Sequence, residues 1–170
     1  RFAPSGRLAE GFVVDGDWIV RRTATAVERL IPVSAVELTG RHMLDNVTAA
    51  AAVAALAGVA PARMVEALAG FSGLDHVMEP VGTVGGVRFV NDSKATNVAS
   101  AAVGLRAFEG GVHAILGGSE KDEPFTPLID PLRERARACY LIGATGERMA
   151  RELAPVLESG VELQRCADLD

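Results

Sequence analysis

The sequence predicts an α/β fold: a doubly wound, mostly parallel sheet preceded by the tail of a larger α/β domain. Three observations predict it. From residue 87 onward short apolar runs alternate with helical patterns, the order that gives parallel strands with crossover helices. Two of those runs, residues 88–90 and 112–116, break off into polar or glycine-rich loops, as loops do at the carboxyl edge of such a sheet. The part before residue 75 carries too much apolar face for its size to stand alone, and reads as the last strands and helices of a larger sheet domain.

Each element has a local reason. Residues 11–20 read as two short strands around Asp15-Gly16, a strong hairpin pair, and Ile31-Pro32-Val33 as a further extended piece. Thr39 or Gly40 starts a helix over about residues 43–56, stopped by Gly58, and Pro61 opens a second over residues 62–68. Residues 81–84 and 87–90 flank Gly85-Gly86, a two-residue hairpin signal. Residues 88–90 read as the end of a buried strand, after which Asn97 or Ser100 caps a helix with Val103, Leu105 and Phe108 at its apolar positions. There follow a strand at 112–116, a helix around 128–136, a strand at 139–142, a helix at 147–157 and a strand at 161–163. This second part is Rossmann-like, and the loops that begin near residues 91, 117 and 143 share one rim.

Composition excludes several function classes. Apolar residues make up 49% of the 170, enough to bury a core. Seventeen basic against twenty-two acidic residues give a net charge of -5 with no basic stripe, which argues against a nucleic-acid partner. The alanine-rich run at 49–59 is too short to span a bilayer, and Arg1-Phe2-Ala3-Pro4 lacks a signal peptide's apolar region, so no membrane partner and a cytoplasmic location are expected. Cys139 and Cys166 are far apart and read as free thiols in a reducing compartment. His42, His76 and His113 have no second ligand at metal spacing, so no metal site is expected from this chain.

The chemistry concentrates in residues 89–97, Phe-Val-Asn-Asp-Ser-Lys-Ala-Thr-Asn. Asp92, Lys94 and Thr96 supply an acceptor, a cation and a hydroxyl at alternate positions, and in an extended loop all three can face one ligand. The bland alternative is a polar turn in which Asn91 or Asp92 is an Asx cap. Downstream, Gly117-Gly118 precedes Lys121, and two glycines let the backbone approach a ligand. Neither the G-x-x-x-x-G-K-[ST] spacing nor G-x-G-x-x-G occurs, so a triphosphate is not cradled by this polypeptide alone, and a Rossmann dehydrogenase is disfavoured. Residues 143–146 read as an ordinary strand-to-helix turn capped by Thr145.

These residues resemble a family. Residues 89–97 resemble the V-N-D-S-K-A-T-N motif of the Mur ligases, in the form carried by members that add D-glutamate. In the same order, residues 38–46 (Leu-Thr-Gly-Arg-His-Met-Leu-Asp-Asn) resemble the family's G-x-H-N-x-x-N helix start, residues 71–76 its F-x-G-L-P-H linker, and Leu116-Gly117-Gly118 with Lys121 its L-G-G-x-D-K loop. The resemblance implies that residues 1–75 are the end of a central ATP-binding domain and residues 76–170 a truncated, Rossmann-like amino-acid-binding domain. It implies an ATP-dependent ligase acting through an acyl phosphate on UDP-N-acetylmuramoyl-L-alanine and D-glutamate. ATP and Mg2+ would be held mainly by regions before Arg1, and the segment completing the D-glutamate pocket would follow Asp170. By motif position, Lys121 and Thr96 would grip D-glutamate, and Lys94 would be catalytic near the transferred phosphate. Asp92, Asn46 and His42 would contact the nucleotide. The chain departs from the pattern at Met43 (asparagine in the family), Asp75 (proline), Val77 (an arginine that reaches ATP) and Glu120-Lys121-Asp122 (Asp-Lys-Gly). The alternative is a nucleotide- or substrate-binding module derived from such a ligase and without turnover.

Overall fold

A computed structural model of the chain describes residues 2–3 and 8–166. They divide into two units, Arg1–Leu74 and Asp75–Asp170, each with its own core. In the first, β1 (Phe2–Ala3) runs parallel to β2 (Gly11–Asp15), and β2, β3 (Trp18–Arg22) and β4 (Val27–Pro32) pair antiparallel in the order β1-β2-β3-β4. The first hairpin turns one residue later than expected, at Gly16-Asp17, because Asp15 stays in the ladder opposite Trp18. Gly16 takes the φ of +55° that the turn needs.

Two helices cover this sheet. α1 (Arg41–Leu56) leaves Gly40, whose φ of +98° suits glycine, and buries Met43, Val47, Thr48, Ala51 and Ala52 along one stripe. α2 (Pro61–Ala69) starts on a proline, whose missing N–H has no intrahelical partner to lose at that position. Phe12, Ile19, Leu30 and Ile31 meet Val47, Ala51, Ala52 and Met64 in the core. The other side of α1 leaves Val53 and Leu56 exposed.

The second unit begins with β5 (Glu79–Val84) and β6 (Val87–Asn91), an antiparallel hairpin closed by Gly85-Gly86 at φ +57° and +82°. Here one expectation fails. Residues 88–90 do end a strand at the polar loop, but the strand is not buried: Phe89 is 52% exposed, and the hairpin forms its own two-stranded sheet. A short apolar run pairs equally well in a hairpin whose backbone bonds are satisfied between two strands, and periodicity does not distinguish the two cases.

The parallel sheet follows as β7 (Val112–Gly117), β8 (Ala136–Ile142) and β9 (Glu162–Arg165), in the order β7-β8-β9. Its connections carry α4 (Ile129–Arg135) and α5 (Gly146–Glu152), and α3 (Val98–Arg106) precedes it, which makes the unit α/β and Rossmann-like. One cluster joins Ala114, Cys139 and Leu141 of the sheet to Leu105, Leu132 and Leu153. The alternate side chains point the other way, where Ile115 is 59% exposed. On α3 the core takes Val98, Ala102 and Leu105, while Val103 is exposed. The helix expected over 147–157 stops at Glu152, because Pro155 cannot donate; a 3-10 turn, Ala154–Ser159, completes it. Among the described residues no helix is long and apolar enough to cross a membrane.

Candidate functional site

The loops after β6 and β7 open onto one cleft of about 700 Å3, lined among others by Asp92, Thr96, Asn97, Gly118 and Lys121. Local hydrogen bonds shape the first loop. Asn91 Oδ1 accepts the Ser93 N–H at 3.0 Å, the Ala95 N–H donates to Asp92 O at 2.9 Å, and Asn97 Oδ1 caps α3 by accepting the Ser100 N–H at 2.8 Å. The Asx turn is therefore present, and it coexists with the site: the same turn leaves Thr96 on the cleft. Lys121 Nζ reaches across and donates to the Thr96 carbonyl oxygen, which ties the two loops together. Gly117 lies where β7 and β8 end side by side, and a Cβ there would sit 2.5 Å from the Ile142 carbonyl oxygen, a separation that no side chain tolerates. Thr145, 1% exposed, makes no side-chain cap to α5; its Oγ1 donates to Gly118 O at 3.2 Å and so fastens the glycine loop from below.

Asp92 has a role that spacing did not reveal. Its Oδ1 accepts the Met78 N–H at 3.0 Å, and its Oδ2 lies against α3, 2.6 Å from where a Cβ on Gly104 would be. Met78 and His76 both take left-handed backbone angles, φ +47° and +66°, each costing roughly 1–2 kcal/mol for a residue with a Cβ. Several bonds hold the turn in that state. Glu79 Oε2 accepts the His76 N–H at 2.8 Å, the Lys94 N–H donates to His76 O at 3.0 Å, and Asn91 Nδ2 lies 2.9 Å from His76 Nδ1. Asp92 lines the cleft together with two others of this set, Met78 and Asn91.

Residues 118–124 have no regular structure and are shaped by side chains from α5 and by the backbone at the start of α3. Glu123 Oε2 accepts the Val98 N–H at 3.2 Å, at the start of α3, where the helix dipole favours an anion. Glu152 Oε2 accepts the Phe125 N–H at 2.6 Å. The Arg148 guanidinium pairs with Glu120 at 2.9 Å, donates to the carbonyl oxygens of Lys121 (3.0 Å) and Glu123, and lies 4.5 Å from the centroid of the Phe125 ring. Sequence reasoning passed over Arg148 and Glu152. Their signal was an arginine and a glutamate one turn apart on α5, a pattern that solvated helix faces also show.

The cleft brings together Asp92, Thr96 and Lys121. Lys94 is exposed and is not among the residues lining it, although it belongs to the same loop. His42 and Asn46 lie on the first turns of α1 in the other unit; Asn46 is exposed, its Nδ2 3.8 Å from Met43 Sδ. Between them, Asp45 has its carboxyl pushed up by burial, a rise opposed by the charges of Arg41 and His42. Among the described residues no three acidic, histidine or cysteine side chains are grouped to hold a metal. Cys139 and Cys166 are free thiols, as expected.

No family model matches the chain. Individual relatives do. The UDP-N-acetylmuramoylalanine–D-glutamate ligase of Koribacter versatilis is 38% identical over 169 residues, 95% of this chain and 37% of the relative. Those of Synechococcus elongatus (38% over 146 residues, 86% of this chain and 31% of the relative) and Solibacter usitatus (42% over 125 residues, 74% and 28%) match similarly. The chain spans about a third of the length of the curated relatives it matches. The four motifs, the α/β architecture and these identities agree, and the chain belongs to the Mur ligase family as a segment of the D-glutamate ligase type.

Proposed function

We propose that this chain supplies the D-glutamate grip of an ATP-dependent ligase that forms an amide bond between UDP-N-acetylmuramoyl-L-alanine and D-glutamate, in the cytoplasm, during peptidoglycan synthesis. The observation that carries the reading is the meeting of Thr96 and Lys121, from two different loops, in one cleft. D-Glutamate brings two carboxylates, and an anion taken out of water without a partner is costly. A lysine ammonium and a threonine hydroxyl supply donors for them. The Lys121 ammonium donates to a neutral carbonyl oxygen, a weaker partner than a carboxylate.

In this reading the γ-phosphoryl group of ATP passes to the carboxylate of the UDP-linked substrate, giving ADP and an acyl phosphate. The D-glutamate amine attacks that carbonyl carbon, loses a proton and expels inorganic phosphate. Lys94 contributes charge beside the transferred phosphate. Asp92 has lone pairs beyond its bond to Met78 and accepts from the ribose hydroxyls, while Asn46 and His42 serve the nucleotide from α1. The second reading, a binding module without turnover, is favoured by Val77, which cannot replace an arginine's planar, fixed charge.

The test uses the full-length protein. D-Glutamate-dependent phosphate release is expected, and Lys121→Ala should raise the D-glutamate half-saturation by roughly ten- to a hundredfold, the worth of one charge-assisted bond, with an unchanged melting temperature. Overlapping saturation curves would make Lys121 a solvated loop residue. No D-glutamate-stimulated release at all would favour the module.

A further inference from the structure

We infer that Arg148 is a positioning residue for D-glutamate binding, acting through the loop that presents Lys121; the inference rests on the reading of Lys121 given above. Residues 118–124 carry Glu120, Asp122 and Glu123 around a single lysine. Left alone, such a loop would be open and would repel an anionic substrate. Arg148 answers both difficulties with one side chain. It pairs with the Glu120 carboxylate at 2.9 Å and donates to the carbonyl oxygens of Lys121 and Glu123, so the backbone is held at Lys121 itself and two residues beyond.

The guanidinium is in turn fixed from behind. Its Nε lies 3.2 Å from Glu152 Oε1, and its face lies 4.5 Å from the centroid of the Phe125 ring. Glu152 closes the arrangement by accepting the Phe125 N–H through its other oxygen at 2.6 Å. Arg148 and Glu152 are only 26% and 27% exposed, so the contact between them and the bond to the Glu123 carbonyl are partly shielded from water, whereas the pair with Glu120 faces solvent. A planar fork with five donors serves a carboxylate and two carbonyls at once while stacking on a ring; a lysine, a single point charge, does not. From this anchored loop Lys121 reaches the Thr96 carbonyl, and the same reach sets where a D-glutamate carboxylate is held.

The experiment is a double-mutant cycle in the full-length ligase, read by steady-state kinetics together with amide hydrogen exchange. Arg148→Met should raise the D-glutamate KM by roughly tenfold, the scale for one misplaced charge-assisted bond, and leave the ATP KM unchanged. Arg148→Lys should recover less than half of the loss. Exchange should quicken in residues 119–124 and nowhere in β7 or β8. In a Lys121→Ala background the Arg148 substitution should add less than about twofold, because its effect passes through that lysine.

Additive effects of the two substitutions, an unchanged D-glutamate KM in Arg148→Met, or exchange in residues 119–124 that overlays the parent's would each overturn the inference while leaving the role of Lys121 intact. An effect spread equally over the ATP and D-glutamate KM values, with general loss of protection, would overturn it in favour of a purely structural arginine. If Lys121→Ala itself leaves D-glutamate use unaltered, the site reading fails first, and the inference falls with it.

Discussion

Cys139 and Cys166 have the same side chain and opposite chemistry. Burial in β8 pushes the Cys139 thiol up to about 12, while Cys166 is only half-buried. The thiolate is the reactive form, so a disulfide reagent at pH 8 should titrate one thiol per folded chain quickly and the second only in denaturant. Equal rates for both in the folded protein would mean that the β8 core opens readily. The sign of the pH dependence follows from the raised value: the stability tied to Cys139 is complete below the free thiol's pKa of 9.0 and declines as pH rises toward 12. Count and spacing identified both as free thiols, but only packing separates them. Asp92 teaches the same lesson. Alternate spacing placed an acceptor in the loop, yet the N–H it accepts belongs to Met78, fourteen residues earlier, and no local pattern announces such a pairing.

At the scale of elements, α3 gives a test in which two effects oppose each other. In a helix interior, glycine to alanine ordinarily stabilises by about 1 kcal/mol. At Gly104 the new Cβ would meet Asp92 Oδ2 at 2.6 Å and Met78 Sδ at 3.7 Å. Overpacking of this kind costs about 1–3 kcal/mol, and a carboxylate tethered to the Met78 N–H cannot swing aside without releasing the left-handed turn. Gly104→Ala should therefore lower the melting temperature by several degrees, and a rise would show that Asp92 is not tethered as described. Most elements were legible because their punctuation is local: Pro61 opens α2, Asn97 caps α3, and Gly85-Gly86 closes its hairpin. The early end of α5 was also written in the sequence, at Pro155, but an apolar pattern running to Leu157 outweighed it. What was not legible was the exposure of β6, since burial of a short strand depends on which elements pack against it.

Across the whole molecule, two cores serve two units, and the cleft lined by Asp92, Thr96 and Lys121 lies in the second. The α/β class and the parallel order of β7, β8 and β9 follow from the alternation of strand and helix runs, whereas the separation of the β5–β6 hairpin from that sheet is a tertiary fact. Asp92, Thr96 and Lys121 do come together on one cleft, because loops after successive strands gather at one edge. At this scale the prediction concerns turnover. The chain of 170 residues, supplied with ATP, Mg2+, D-glutamate and UDP-N-acetylmuramoyl-L-alanine, should release no phosphate above a protein-free blank, because its sequence lacks a glycine phosphate loop and its described residues lack a metal cluster. Release stimulated by D-glutamate would contradict this directly. A different consequence follows from β7. It closes one side of its sheet and pairs only with β8 among the described residues, and its sequence, Val-His-Ala-Ile-Leu-Gly, has neither proline nor a lysine to discourage a visitor. Its outer rim offers a row of backbone donors and acceptors at the spacing of a β-ladder. A net charge of -5 slows the encounter of two such chains. Because residues 112–117 also line the cleft, a strand added along that rim would compete with whatever the cleft holds.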